Sequence, residues 1–145
     1  MKTTKFQLAI VSVFLWIGFV CAISFMEAWL KFRAPGVTLP IGLGIGRMVF
    51  AALNMMEWLF ALLIAANLVM SKNKITSFSN LAYFIPLLML LIQTFWLLPS
   101  LDSRAEIYIQ GQVPPASTLH YYYVGVEIIK VVCLSIFGIK LFTKS

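Results

Sequence analysis

Charged side chains are scarce in this sequence. Only 11% of its 145 residues are Asp, Glu, Lys or Arg, whereas 61% are hydrophobic, and the mean hydropathy is +0.95. Soluble domains average about 25% charged residues, and a small domain leaves roughly a third of its surface in water. A soluble fold of this size could not bury so much apolar side chain. The composition therefore excludes an ordinary soluble domain and predicts one compact membrane domain, residues 1–145.

Residues that bind metals or redox groups are also few. The sequence has one histidine, His120, and two cysteines, Cys21 and Cys133. One histidine cannot supply bis-histidine haem ligation or a His-rich zinc site, and the two cysteines form no CxxC pair. We expect both cysteines to be buried thiols that pack like apolar side chains. Nucleotide-binding and hydrolase motifs are absent as well, so we expect no metal and no other cofactor.

Four apolar runs are long enough to cross a membrane, because a hydrocarbon core of ~30 Å takes about 20 helical residues. Strand-like alternation with a period of two is absent, and helices satisfy their own backbone hydrogen bonds in lipid. The sequence therefore predicts an all-α, polytopic bundle of four transmembrane helices. The predicted helices are approximately Phe6–Leu30, Gly46–Met70, Phe78–Leu98 and His120–Phe142, with an outer loop at 99–119.

Basic residues are distributed unevenly between the predicted sides of the membrane. The two termini and the second connection carry six lysines, whereas the first and third connections carry three basic residues. By the positive-inside rule, both termini are predicted to be cytoplasmic in a multi-pass protein of the membrane, the inner or plasma membrane if bacterial. This bias also explains the net charge of +6, so no nucleic-acid partner is expected. The six lysines are Lys2, Lys5, Lys72, Lys74, Lys140 and Lys144, and the opposite group is Lys31, Arg33 and Arg104.

The first apolar run has a second possible interpretation. Lys2 and Lys5 before an apolar stretch also fit a secretory signal peptide. The run continues well past Ala22, however, which is longer than the core of a signal requires. We therefore expect it to be a retained first helix.

The connection after the first helix is rich in glycine and proline between Lys31 and Gly46. This composition predicts an interfacial turn or a re-entrant collar at the outer surface rather than a regular helix. An aromatic belt is predicted at the same boundary, since tryptophan and tyrosine favour the membrane interface. Its expected members are Trp29, Trp96, Tyr108 and Tyr121–Tyr123.

Polar residues form a stripe on the fourth predicted helix. His120, Glu127 and Lys130 are separated by seven and then three residues. At 100° per residue they lie within a sector of about 80°, which is one face of a helix. Charged groups inside a bilayer are costly, so this face is expected to point into the bundle.

The second predicted helix repeats that spacing with Arg47, Asn54 and Glu57. Both helices run in the same direction in the predicted topology, so equal spacing places matching residues at equal depth. We therefore expect Glu57 to pair with Lys130 across the bundle. Glu127 also lies within reach of Lys130 at i, i+3. We further expect Arg47 to pair with Glu27 near the outer end, and Gln93 to add an amide.

The convergence of these groups predicts a polar pocket that opens to the outer side and binds or transports a small molecule or lipid-like ligand. His120 would gate it or titrate near the surface. One alternative is a membrane-embedded enzyme acting on a lipid or quinone, with Glu57 or Glu127 as the acid–base group. Another is an accessory subunit of a membrane complex or a homo-oligomer. A purely structural role, in which the polar groups only join the helices, also remains open. The candidate site residues are Glu27, Arg47, Asn54, Glu57, Gln93, His120, Glu127 and Lys130.

Several short motifs resemble one family. They are Ala34-Pro35, the glycine-rich approach Gly42–Phe50, Trp96-Leu-Leu-Pro99, Arg104, and Ser117-x-x-His120. With the apolar first helix, this pattern is similar to the small four-helix membrane proteins that include a human transmembrane protein linked to cisplatin resistance. The resemblance implies a four-helix membrane protein and no particular reaction. Glu57, Glu127 and Lys130 match no part of the pattern.

Overall fold

The described residues fold into four long helices. The computed structural model describes residues 5–71 and 80–144, and every regular element within them is helical. These helices are α1 (Gln7–Arg33), α2 (Leu39–Met70), α3 (Leu81–Ile109) and α4 (Leu119–Lys144). Helices α1, α2 and α3 are each long and apolar enough to cross a membrane. The prediction of an all-α fold is confirmed.

The helices form an antiparallel ring. Helix α1 packs against α2 and α4, and α3 packs against the same two neighbours, so α2 and α4 face each other across the centre. The backbone N–H of Ala9 donates to Asn67 Oδ1 at 3.1 Å, which joins the start of α1 to the end of α2. The Tyr83 hydroxyl donates to the Ala61 carbonyl at 2.6 Å and joins α3 to α2.

The half of the bundle nearer the chain termini is filled with apolar side chains. Trp16, Ile64, Leu134 and Phe137 are fully buried there, and the Phe137 ring stacks on Tyr83 with centroids 5.3 Å apart. Lipid is as apolar as leucine, so this half is stabilised by close van der Waals contact rather than by the exclusion of water. Large apolar residues also cover the outside of the bundle, as expected for a surface in contact with lipid.

Helix α2 begins seven residues earlier than predicted. It starts at Leu39 with Pro40 in its first turn, so the glycine-rich segment is helical and the prediction of a collar up to Gly46 is wrong. Proline is tolerated in a first turn because those N–H groups have no partner within the helix. Glycine lowers helix propensity in water, but in lipid the alternative is an unsatisfied backbone. The connection between α1 and α2 therefore shrinks to residues 34–38, where Gly36 has a φ of +80°.

Helix α3 extends into the predicted outer loop. It continues to Ile109, and only residues 110–118 remain as a connection. Pro99 removes a backbone donor and would clash with the carbonyl of Phe95, but the preceding turn, Gln93–Leu97, is a wider π-helix that accommodates it. Gly111, with a φ of +81°, ends the helix and directs its N–H to the Tyr108 carbonyl.

Three further predictions have different outcomes. Cys133 is half-buried, but Cys21 is exposed on the apolar exterior, so the prediction of a buried thiol is wrong for Cys21. The predicted start of the third helix at Phe78 lies outside the described residues, as do Lys2, Lys72 and Lys74. The topology inferred from the six lysines stays a prediction.

Candidate functional site

A cavity of about 620 Å³ occupies the half of the bundle near the connections 34–38 and 110–118. Its volume is in the range of small-molecule sites, which run from roughly 300 to 1,000 Å³. All four helices line it. Most of its wall is apolar and includes Phe25, Leu43, Phe50 and Leu98.

At the deep end of the cavity, four buried side chains form a buried ionic cluster: Glu57, Gln93, Glu127 and Lys130. Each is at most 1% exposed. Lys130 Nζ donates to Glu57 Oε2 and to Gln93 Oε1, and it lies 3.3 Å from Glu127 Oε1. Gln93 Nε2 donates to Glu127 Oε1 at 2.7 Å. The predicted pairs between Glu57 and Lys130 and between Glu127 and Lys130 are both present, and the predicted amide is Gln93.

The buried ionic cluster is unbalanced. With both carboxylates ionised it holds two negative charges and one positive charge, and therefore a formal charge of −1. Among its members only Glu127 lines the cavity. Its Oε2 atom has no hydrogen-bond partner, although the residue is fully buried. Buried carboxylate oxygens are almost always paired, since an unpaired one forfeits its solvation.

Further polar groups line the same cavity. Ser24 Oγ, on α1, also lines the cavity and also lacks a partner. The Tyr123 hydroxyl lies in the same region, close to Glu127 and Ser24. Asn54 lies on the opposite wall, where its Nδ2 donates to Thr94 Oγ1 at 3.0 Å. The deep end of the cavity is therefore polar.

Two π-helical turns contribute to this arrangement. Cys21–Glu27 in α1 presents Ser24 and Phe25 to the cavity, and Gln93–Leu97 in α3 begins with Gln93. A π turn inserts one extra residue and rotates the following side chains relative to a regular helix, and such turns are frequent at functional sites. The spacing of polar residues in the sequence does not reveal them.

The other end of the cavity, its mouth, is lined by five basic or acidic side chains: Lys31, Arg47, Asp102, Arg104 and His120. The predicted pair between Arg47 and Glu27 is wrong. Arg47 Nη2 instead donates to Asp102 Oδ2 at 3.0 Å, and Nη1 donates to Glu106. Asp102 and Glu106 reach Arg47 because α3 continues as a helix through the segment that was predicted to be a loop.

Glu27 pairs with its helical neighbour Lys31, with an Nζ–Oε2 distance of 3.1 Å. The same ammonium lies 5.4 Å from the ring centroids of Phe32 and Phe50. Gly42 and Gly46 make room for these side chains. A Cβ atom at Gly42 would overlap the Phe32 ring, and one at Gly46 would lie 3.2 Å from Lys31 Nζ. The glycine-rich start of α2 therefore allows the end of α1 to pack closely against it.

The eight predicted site residues occupy three places. Glu127, Asn54, Arg47 and His120 line the cavity, and His120 is exposed in the first turn of α4. Glu57, Gln93 and Lys130 lie behind Glu127, whereas Glu27 is at the periphery.

Tyr123 is the main residue that sequence reasoning misplaced. It was predicted to belong to the aromatic belt, but it is 5% exposed and lines the cavity. Its neighbours Tyr121 and Tyr122 are exposed, as a belt requires. Tyr123 lies three residues after His120 and four before Glu127, so the helical period could have placed it on the polar face.

No protein-family model, curated protein or solved structure matches this chain. The resemblance to the family linked to cisplatin resistance therefore stays a prediction. The geometry of the cavity is the basis for a functional conclusion.

Proposed function

We propose that this chain is a four-span membrane protein with cytoplasmic termini that binds a small amphipathic ligand in the cavity. The ligand enters from the outer end, between the connections 34–38 and 110–118. Three helices with the character of membrane spans support this proposal. Helix α4 supports it as well, since its 26 residues are long enough to span and it packs against both α1 and α3.

The observation that carries the proposal is the unpaired Oε2 atom of Glu127. A carboxylate used only to join helices would direct both oxygens to protein donors, because each unpaired oxygen is costly in a medium without water. Here one oxygen is held by Gln93 and faces Lys130, while the other has no hydrogen-bond partner, and the residue lines a cavity whose walls are mostly apolar. An amphipathic molecule fits this combination, with its polar end at Glu127 and its apolar body against the phenylalanines.

Binding is favoured over transport through the bundle. The cavity ends at the buried ionic cluster, and the apolar core around Trp16 and Phe137 fills the remaining half. Passage through the protein would require that core to separate. In the enzyme alternative, Glu127 would have to be the acid–base group, since Glu57 does not line the cavity.

Native mass spectrometry of the purified protein tests the proposal. We expect wild type to retain a non-covalent small molecule and Glu127→Gln to lose at least nine-tenths of it. Glu27→Gln is the matched control, because it makes the same chemical change on a carboxylate that does not line the cavity. We expect it to retain the ligand at the level of wild type.

Two results would contradict the proposal. One is an empty wild-type protein that also takes up no added amphipathic molecule. The other is equal retention of a ligand by wild type and Glu127→Gln, with both variants eluting as folded protein. Copurification of a stoichiometric partner protein with an empty cavity would favour the accessory-subunit alternative.

A further inference from the structure

We infer that the ligand carries a cationic group, a protonated amine on an apolar body, and that this ammonium binds Glu127 Oε2. The inference rests on the proposed function and specifies the chemistry of its ligand. Four observations lead to it. They are the use of all three N–H donors of Lys130 within the cluster, the charge of the buried ionic cluster, the charges at the mouth of the cavity, and the aromatic rings that line the cavity.

Lys130 cannot neutralise Glu127 further. An ammonium has three N–H donors, and Lys130 Nζ faces three oxygens, on Glu57, Gln93 and Glu127. The side chain is fully buried, so water does not supplement these contacts. Glu127 Oε2 therefore requires a partner from outside the cluster. The Tyr123 hydroxyl lies close to Glu127, but a neutral hydroxyl cannot offset the charge of the carboxylate, and the adjoining space is the cavity.

The charge of the cluster determines which charge the ligand group beside Glu127 should carry. With both carboxylates ionised, its formal charge of −1 lies in a buried, low-dielectric region, where a second charge of the same sign is strongly disfavoured. An anionic head group beside Glu127 would raise the local charge to −2. A cationic head group would bring it to zero and would supply the missing N–H donor at the same time.

The charged side chains at the mouth of the cavity do not favour an anionic ligand. Three cations line it, Lys31, Arg47 and Arg104, and two of them, Lys31 and Arg47, are paired with the three carboxylates of Glu27, Asp102 and Glu106. The formal charges of these six side chains cancel. Lys31 and Arg47 are already paired, and Arg33 lies over the Trp29 ring and does not line the cavity, so the mouth does not present a group of free cations to a phosphate or carboxylate ligand.

Aromatic rings line the wall between the mouth and Glu127. Phe50 and Tyr123 pack edge to face, with ring centroids 5.3 Å apart, and Phe25 lines the same cavity. Ring faces attract ammonium groups, and a carboxylate next to such rings is a common way to bind an amine. Phe50 already lies 5.4 Å from one ammonium, that of Lys31, at the mouth.

The test compares three probes of equal chain length: dodecylamine, dodecanol and dodecanoate. Each is added at neutral pH to the purified protein in phosphatidylcholine nanodiscs, and the bound fraction is measured by native mass spectrometry. We expect wild type to bind the amine at least tenfold more tightly than the alcohol, and the carboxylate least. In Glu127→Gln the preference for the amine over the alcohol should fall to about one. Glu27→Gln releases Lys31 at the mouth but leaves the deep end unchanged, so it should keep most of that preference.

The outcomes separate this inference from the proposed function. If the alcohol or the carboxylate binds wild type as tightly as the amine, the cationic ligand is wrong and the binding function stands. If no probe binds and no endogenous molecule is retained, the proposed function itself is wrong. Should Glu127→Gln fail to fold, the ranking of the three probes on wild type still decides the sign of the ligand. A preference for the amine that survives unchanged in folded Glu127→Gln would also overturn the inference.

Discussion

At the scale of single residues, Lys130 shows how a charge is accommodated inside an apolar bundle. Its ammonium lies on α4 at the bundle centre, and it contacts oxygens from α2, α3 and its own helix. A buried ion pair contributes little net stability, because desolvation offsets the attraction between the charges. Removal of one partner is different, since the remaining charges then lie buried without compensation. Lys130 is therefore required once Glu57 and Glu127 are present.

We predict that Lys130→Met lowers the free energy of unfolding by about 3–5 kcal/mol, the usual effect of breaking a buried pair. The control is Arg47→Met, which removes a cation from an ion pair whose side chains are one-third to one-half exposed. That variant should unfold within a few degrees of wild type, since exposed pairs contribute little. Thermal unfolding in detergent measures both. Equal losses in the two variants would contradict the interpretation of the cluster as a buried, mutually dependent unit.

Glu57 and Glu127 have different surroundings, and the amount of ligand retained by a variant at each position should reflect that difference. Glu57 contacts Lys130 and does not line the cavity, whereas Glu127 does. We predict that Glu57→Gln keeps most of the endogenous ligand and that Glu127→Gln loses it. The neutral Glu57→Gln cluster attracts a cation less strongly, so a partial loss is expected. A greater loss in Glu57→Gln than in Glu127→Gln would show that the ligand contacts are assigned to the wrong carboxylate.

At the scale of elements, the apolar runs predicted the helices better than the connections. The polar stripes also predicted the contact of Glu57 with Lys130, because a 3.6-residue period fixes which residues share a face. Glycine and proline were misleading markers, since lipid favours helix where water would permit a loop. The continuation of α3 to Ile109 moved Asp102 and Glu106 onto a helix and gave Arg47 different partners from the one predicted. The π turns depend on tertiary packing, which a single sequence does not display.

The start of α2 offers a matched test of close packing. We predict that Gly42→Ala is less stable than Gly44→Ala, although both replace glycine by a better helix former in the same helix. A methyl group at Gly42 would displace the Phe32 ring, whereas none of the surrounding atoms lies within 4 Å of one at Gly44. Gly44→Ala should raise stability by up to about 1 kcal/mol, the difference in helix propensity. Thermal unfolding of both variants measures the difference, and identical shifts would mean that Phe32 does not pack against α2 as described.

At the scale of the whole molecule, the bundle is divided along its axis. Apolar contacts fill the half near the termini, and the cavity with its polar deep end fills the half near the connections. The buried ionic cluster lies at the boundary between the two. This division suits a protein that is anchored by one half and binds ligand in the other, open to one side of the membrane. The proposal therefore requires that the connection 110–118 and the end of α4 lie on opposite sides.

The topology can be tested with single cysteines, one in the connection before α4 and one near its C-terminal end. In a Cys21→Ala, Cys133→Ala background, we predict that Gln112→Cys reacts with a membrane-impermeant maleimide in intact cells. Thr143→Cys should react only after the membrane is permeabilised, because α4, whose 26 residues span ~39 Å at 1.5 Å per residue, lies between the two positions. Reaction of both positions from the same side would show that α4 does not span the membrane. Reaction of Thr143→Cys alone in intact cells would invert the orientation and place the mouth of the cavity on the cytoplasmic side.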